Sequence, residues 1–309
     1  MGGLQPQRTV HKKAHGQIYI QTWHGSLPLK RLEKDYPALS AAYLKNAARD
    51  SRMTDLCLSN GEFMNDIYRT AFGYECEIQV TGSARMDPLL HPNSKRVIRT
   101  KEELLRIAGH MIRPVENDTN SENETAANIK FAVYAPTYRE GGAAFDMPDL
   151  EKVADALEKR FGGIFYIVTR MHPLVAEKST SLLKGAFGSG RIINADLKGD
   201  LYELLEASQV LITDYSNTLF EFGMCGKPVF LYAPDAAEYE RERGFYFDYE
   251  KLPFPHSTDT VGLCESIASF SAFDYKNGLS LFYKNIGVQE DGRASRRIAE
   301  LILRKVYRE

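Results

Sequence analysis

Apolar positions along the chain change period repeatedly, and each change predicts an element. Residues Gln17 to Thr22 are β-rich and break at Trp23-His24-Gly25, so they read as a strand delivering its last residues to a loop. Helix-forming composition over 38–50 and 61–72 flanks short strand candidates at Leu56 to Ser59 and Ile78 to Thr81, and a further helix runs from near Lys101 to Met111. Downstream the pattern is cleaner. Phe131 to Ala135, Ile164 to Val168, Arg191 to Ile193, Val210 to Thr213 and Val229 to Tyr232 read as strands. Helices are predicted from Pro148 to Arg160, from Asp200 to Glu206 behind an acidic N-cap, and from Ser216 to Cys225. The tail from Gly292 to Glu309 is amphipathic, with Ile298, Leu301, Ile302 and Val306 on one face. Strands separated by helices imply parallel pairing, because each crossover needs a dozen or more residues.

The run from Arg113 to Thr125 is polar, acidic and nearly free of apolar residues, which marks a linker. The expected organisation is an N-terminal domain over 1–112, a linker over 113–127, a second domain over 128–290 and a closing helix over 291–309. Composition adds exclusions. With 43% hydrophobic and 26% charged residues, the chain is an ordinary globular one, neither disordered nor repetitive. Thirty-nine Lys and Arg against 41 Asp and Glu leave a net charge of −2, so no global positive field recruits nucleic acid. The four cysteines lack metal-site or disulfide spacing, and no run approaches the ~18 apolar residues of a membrane helix. A cytoplasmic location is expected, since no apolar segment follows the basic residues of the N-terminus.

Open α/β sheets bind ligands at the carboxyl ends of their strands, so the strand exits carry the chemistry. Those exits are Trp23-His24-Gly25, Pro136 to Arg139, Thr169 to Pro173 and Thr213 to Thr218. Ser216, Asn217 and Thr218 open a helix whose N–H groups and hydroxyls suit a phosphate, although Ser216 or Asp214 also reads simply as an N-cap. His172, extended before Pro173, reads either as a hydrogen-bond donor to a developing oxyanion beside Arg170 or as a structural strand-end histidine. His24 has the unperturbed pKa of ~6.5 that a general base needs. Lys30, Arg31 and Lys34 read as a solvated helix edge or as a contact to an anionic acceptor or lipid headgroups.

In order, Trp23 to Lys30, Tyr134 to Arg139, Met171-His172-Pro173, Leu211 to Ser216, Lys227-Pro228, Arg243 to Phe247 and Asp291 to Ser295 resemble the motifs of the CDP-glycerol glycerophosphotransferase family, the teichoic-acid primases and polymerases. The resemblance implies a GT-B architecture, two Rossmann-like domains facing across a cleft, here with an N-terminal domain shorter than the family's. It implies transfer of glycerol phosphate or a related polyol phosphate from a CDP-alcohol to an acceptor hydroxyl, with CMP released. In that scheme His24 is the base, His172 and Arg139 steady the diphosphate, and Thr137, Arg170, Ser216, Asn217 and Thr218 surround the donor. Asp214 shapes the turn, and Glu221 approaches the ribose or stays on its helix face. Asn217 and Glu221 stand where the family commonly has serine and aspartate. The implied partners are CDP-glycerol or another CDP-polyol, a lipid-linked or polymer acceptor, and the inner face of the membrane through peripheral contact. No cofactor or metal is called for. A GT-B nucleotide-sugar glycosyltransferase or epimerase, or a truncated nucleotide-binding remnant without turnover, is the alternative.

Overall fold

The computed structural model describes residues 13–36, 38–109, 128–139, 146–171, 190–196 and 199–307, which leaves the linker reading outside the described residues. The chain divides into two compact units, Met1–His91 with Ala237–Leu252 and Gly278–Glu309, and Pro92–Ala236 with Pro253–Asn277. This moves the expected boundaries. Residues from Pro92 onward join the second unit instead of ending the first, and residues 237–252 and 278–290 of the expected second domain fall in the first.

In the first unit, strands β1 (Ile20–Gln21), β2 (Leu56–Ser59) and β3 (Glu77–Val80) form a parallel sheet in that order. Helices α1 (Ala41–Met53) and α2 (Glu62–Thr70) connect them, and the short α3 (Asp87–Leu90) follows. Ser40 caps α1 by accepting the Tyr43 N–H at 3.2 Å, which satisfies one orphan donor of its first turn. β2 is buried along its whole length, as expected of a central strand covered on both faces.

Helix α4 (Ser94–Ile107) opens the second unit, where Arg96 pairs with the buried Glu206 at 2.5 Å and the Asn93 N–H reaches the same carboxylate at 2.6 Å. A buried carboxylate needs such partners, and this requirement fixes α4 to the second unit. Its six parallel strands are β4 (Ile129–Ala135), β5 (Ile164–Thr169), β6 (Ile192–Asn194), β7 (Val210–Thr213), β8 (Val229–Tyr232) and β9 (His256–Ser257), in the order β6-β5-β4-β7-β8-β9. The chain moves outward from β4 in one direction and then returns to β4's other side at β7. That order is the doubly wound Rossmann arrangement, whose switch point lies between β4 and β7. Helix α5 (Leu150–Phe161) buries Leu150, Val153, Ala154 and Leu157, the i, i+3, i+4, i+7 stripe of an amphipathic helix. Helices α6 (Leu201–Ala207) and α7 (Thr218–Met224) follow, α6 capped by Asp200, which accepts the Tyr202 N–H at 2.9 Å. Lys227 closes the other end of α6 by donating to the carbonyls of Leu205, Glu206 and Ser208 at 3.2, 3.1 and 2.8 Å. Its role in the Lys227-Pro228 motif is thus a helix C-cap.

Helices α8 (Ala236–Arg243), α9 (Thr260–Ala268) and α10 (Ala272–Asn285), none of them predicted, precede α11 (Ala294–Tyr307). Within the first unit, the Gln289 N–H donates to the Asn60 carbonyl at 2.6 Å, and Asp87 accepts the Ala294 and Ser295 N–H groups at 2.9 and 2.7 Å. Gly292, at φ +72°, passes so close to His91 that a Cβ would lie 2.3 Å from the imidazole. The closing Asp291 to Ser295 motif is therefore a docking device for α11. The apolar face read along α11 is only partly covered, since Ile302 and Val306 remain exposed.

Asp87→Ala should cost about 1 kcal/mol, within the usual range for losing an N-cap. A urea midpoint unchanged from wild type would show that Asp87 does not anchor α11.

Candidate functional site

At the switch point, the Asp214 carboxylate, fully buried just past β7, accepts the Thr137 N–H at 2.8 and 3.0 Å and the Tyr215 N–H at 2.5 Å. It thereby ties the exit of β4 to the exit of β7. Arg139, also buried, pairs with Asp214 at 2.8 Å and forms a two-pronged contact with Asp235 at 2.6 and 3.0 Å. Tyr215 donates its hydroxyl to Asp235 at 2.8 Å, and its ring centroid lies 4.8 Å from the guanidinium carbon. Burial pushes the Asp235 carboxyl up, but Arg139 and Tyr215 more than offset this and hold it below the ordinary value. Arg139, which the family resemblance sets against a diphosphate, has its charge matched here by two carboxylates. Beside them, Tyr134 Oη and Thr137 Oγ1 are buried with no hydrogen-bond partner among the described residues.

The Ser216 hydroxyl receives the Thr218 hydroxyl at 2.8 Å and its N–H at 3.4 Å, while Asn217 occupies the N-cap of α7 without a side-chain cap bond. The helix begins two residues later than predicted. Glu221 is buried and accepts the Tyr202 hydroxyl at 2.5 Å. Arg170 donates to the carbonyls of Ala195 and Gly199 at 2.5 and 3.2 Å, bracing the loop past β6. His172 lies outside the described residues.

In the first unit, Trp23 leaves β1 at φ +52°, a left-handed conformation that strains a bulky residue, and Gln21 Oε1 accepts its N–H at 2.9 Å. This turn presents His24, whose ring centroid lies 4.5 Å from that of Trp23. The imidazole keeps an exposed surface, yet protein crowds its other sides. That desolvation, then Arg85 and Lys30, lower its pKa below the ordinary 6.5. Arg85 also donates to the His24 carbonyl, so one side chain both braces the turn and tunes the ring. Lys30 and Arg31 are not on the expected helix edge; their charged ends lie over the rings of Tyr239 and Tyr246, each at 5.9 Å.

The carboxyl ends of β1, β2 and β3 enclose a cavity of about 180 Å³ with Trp23, Asn60, Met64, Tyr68, Ser83 and Arg85 among its walls. Behind it, Glu290 accepts the Ser83 N–H at 3.0 Å, and burial raises its carboxyl pKa against that contact. Sequence reasoning missed Asp235, Asn60 and Glu290. The strand-exit rule reaches two of them: Asn60 directly follows β2, and Asp235 follows β8 by three residues.

The second unit is thus a Rossmann-like doubly wound α/β unit and the first a smaller parallel one, each with polar side chains gathered at its strand exits. The chain belongs to the CDP-Glycerol:Poly(glycerophosphate) glycerophosphotransferase family, which matches residues 5–304. It is 31% identical over 308 residues to the teichoic acid poly(glycerol phosphate) polymerase of Staphylococcus epidermidis, covering 94% of this chain and 39% of the polymerase. The chain therefore spans about two-fifths of that relative's length. Among solved structures, it resembles a point variant of the wall teichoic acid polymerase TagF with TM-score 0.73 and 29% identity, over 96% of this chain and 70% of that chain. A TagF variant soaked with CDPG gives TM-score 0.71 and 28% identity, over 96% and 69%.

Arg139→Met should destabilise the second unit by about 3 kcal/mol, because two carboxylates lose a buried counter-charge. A thermal or urea transition within 1 kcal/mol of wild type would contradict the bridging role.

Proposed function

We propose that the chain transfers glycerol phosphate, or a related polyol phosphate, from a CDP-alcohol to the hydroxyl of a polymer or lipid-linked acceptor. The acceptor oxygen attacks the phosphorus bearing the polyol, a phosphodiester forms, the phosphoanhydride bond breaks and CMP leaves with its electron pair. The family match across residues 5–304 carries this reading. Support comes from the strained exit of β1, which presents an imidazole kept neutral near pH 7.

His24 takes the acceptor proton. On the donor side, the hydroxyls of Thr137, Ser216 and Thr218 are matched to phosphate oxygens, and Thr137 Oγ1, buried without a hydrogen-bond partner among the described residues, is the best placed to gain one. His172 supplies the positive hydrogen-bond donor that Arg139, neutralised by Asp214 and Asp235, does not. Arg139 and Asp214 act as positioning residues, holding the two strand exits together.

His24→Ala should reduce transfer at least ~100-fold while leaving CDP-glycerol affinity within about twofold, because a general base meets the acceptor and not the nucleotide. A base works only when unprotonated, so kcat/KM should rise with pH and level off, the midpoint of the rise lying below 6.5. Wild-type turnover in His24→Ala, or a midpoint above 6.5, would remove His24 from the mechanism. Calorimetry with UDP ligands binding as tightly as CDP-glycerol would overturn the donor assignment.

The reading extends to peripheral membrane contact. Among the described residues no helix is long and apolar enough to cross a membrane, while Arg31 and Lys34 are exposed. Chain bound to anionic vesicles should be released by ~1 M salt, which shortens the screening length to about 3 Å. Retention through that wash would exclude electrostatic docking.

A further inference from the structure

We infer that the cavity at the carboxyl ends of β1–β3 seats one uncharged polyol unit of the acceptor, with Asn60 bonding a hydroxyl that does not react. The inference rests on the acceptor reading of the first unit and deepens it.

Size sets the first limit. A volume of about 180 Å³ compares with the ~150 Å³ of a cavity that takes up a benzene ring, which suits a glycerol-sized group. Chemistry sets the second. Asn60 lines the cavity at 2% exposure; its amide leans on the Glu290 carboxylate as a hydrogen-bonding contact that lowers that group's pKa, yet among the described residues neither Nδ2 nor Oδ1 completes a hydrogen bond of full geometry. A buried carboxamide in this state keeps N–H donor and carbonyl acceptor capacity unsatisfied, at a cost that a ligand can relieve. A hydroxyl both donates and accepts, so it matches the pair; a phosphate oxygen satisfies only the donor. Arg85 also stands in the cavity wall, with the Glu290 carboxyl behind Ser83. Met64 and the Tyr68 ring complete the wall with surfaces suited to the C–H faces of a polyol. The cavity adjoins Trp23, the neighbour of His24, so a unit held here keeps its remaining hydroxyl near the turn that carries the base.

The test uses the 309-residue chain, a synthetic glycerol phosphate trimer and saturation-transfer NMR without donor. In the wild-type chain the terminal glycerol protons should receive the strongest saturation. Asn60→Leu should weaken trimer binding at least fivefold, with CDP-glycerol affinity by calorimetry within twofold. Ile298→Phe, which enters the cavity from a half-buried position on α11, should do the same without disturbing the interior at Asn60. If Asn60→Leu fails to fold, Ile298→Phe decides alone. Trimer binding unchanged in the folded variants, absent in wild type, or spread evenly along the trimer would overturn the inference. Trimer binding that follows the expected pattern in a chain that transfers nothing from CDP-glycerol would uphold the subsite and refute the reaction.

Discussion

The arginine that joins Asp214 to Asp235 is the constraint from which the second unit's site follows. A guanidinium taken out of water is costly unless its donors are matched, and Arg139 is 7% exposed. Its planar fork can serve two carboxylates at once, which a lysine's compact ammonium does with far less geometric control. Asp214 uses its remaining capacity on the N–H groups of Thr137 and Tyr215, so the exits of β4 and β7 are held by one carboxylate. The cluster sums to about one negative charge. In the proposed reaction it is therefore a frame around the donor and not the attraction within it, so the positive contacts for a diphosphate fall to other groups.

A different constraint governs the first unit. Three short strands cover little apolar surface, and β1 contributes only two residues. Completion comes from residues more than 140 positions away: Phe247 packs between Phe63 and Phe282 at centroid distances of 4.8 and 5.2 Å. Closing so long a loop adds only slowly to the entropic cost, since the penalty grows with the logarithm of loop length. A Cβ on Gly61 would lie 2.1 Å from the Gly287 carbonyl oxygen, so this approach depends on the absence of a side chain. The same returning segment brings Glu290 and Ile298 to the cavity, so the small sheet and its candidate subsite are completed together.

Strand identity was legible because β2, β4, β5, β7 and β8 are buried runs bounded by turn residues, and burial on both faces erases any competing period. The unit boundaries were not. What assigns α4 to the second unit is the pairing of Arg96 with Glu206, which are 110 residues apart, and local pattern carries no trace of it. The site was legible as a set of strand exits but not as a set of roles. Arg139 and Arg170 read as anion ligands because an arginine's sequence position does not reveal whether carboxylates or carbonyls already occupy it. Asp235 and Asn60 were missed at exits that the same rule covers. The exposed face of α11 shows the reverse failure, since a helical period predicts an apolar stripe without saying what covers it.

Electrostatics around His24 impose a trade on the proposed reaction. Desolvation, Arg85 and Lys30 all favour the neutral imidazole, which ensures that the base is available at neutral pH. The same influences oppose the imidazolium that forms once the proton arrives, so His24 is an intrinsically weaker base than a free histidine. An acceptor hydroxyl in its ground state is far too weak an acid to give up its proton to such a group. Its acidity rises only as its bond to phosphorus develops. The arrangement therefore suits a late proton transfer, in which positioning of the two reactants lowers the barrier more than deprotonation in advance does. On that account the turn at Trp23, strained and held by Gln21 and Arg85, matters as much as the imidazole it presents, because a late transfer succeeds only if the ring already lies along the path of the proton.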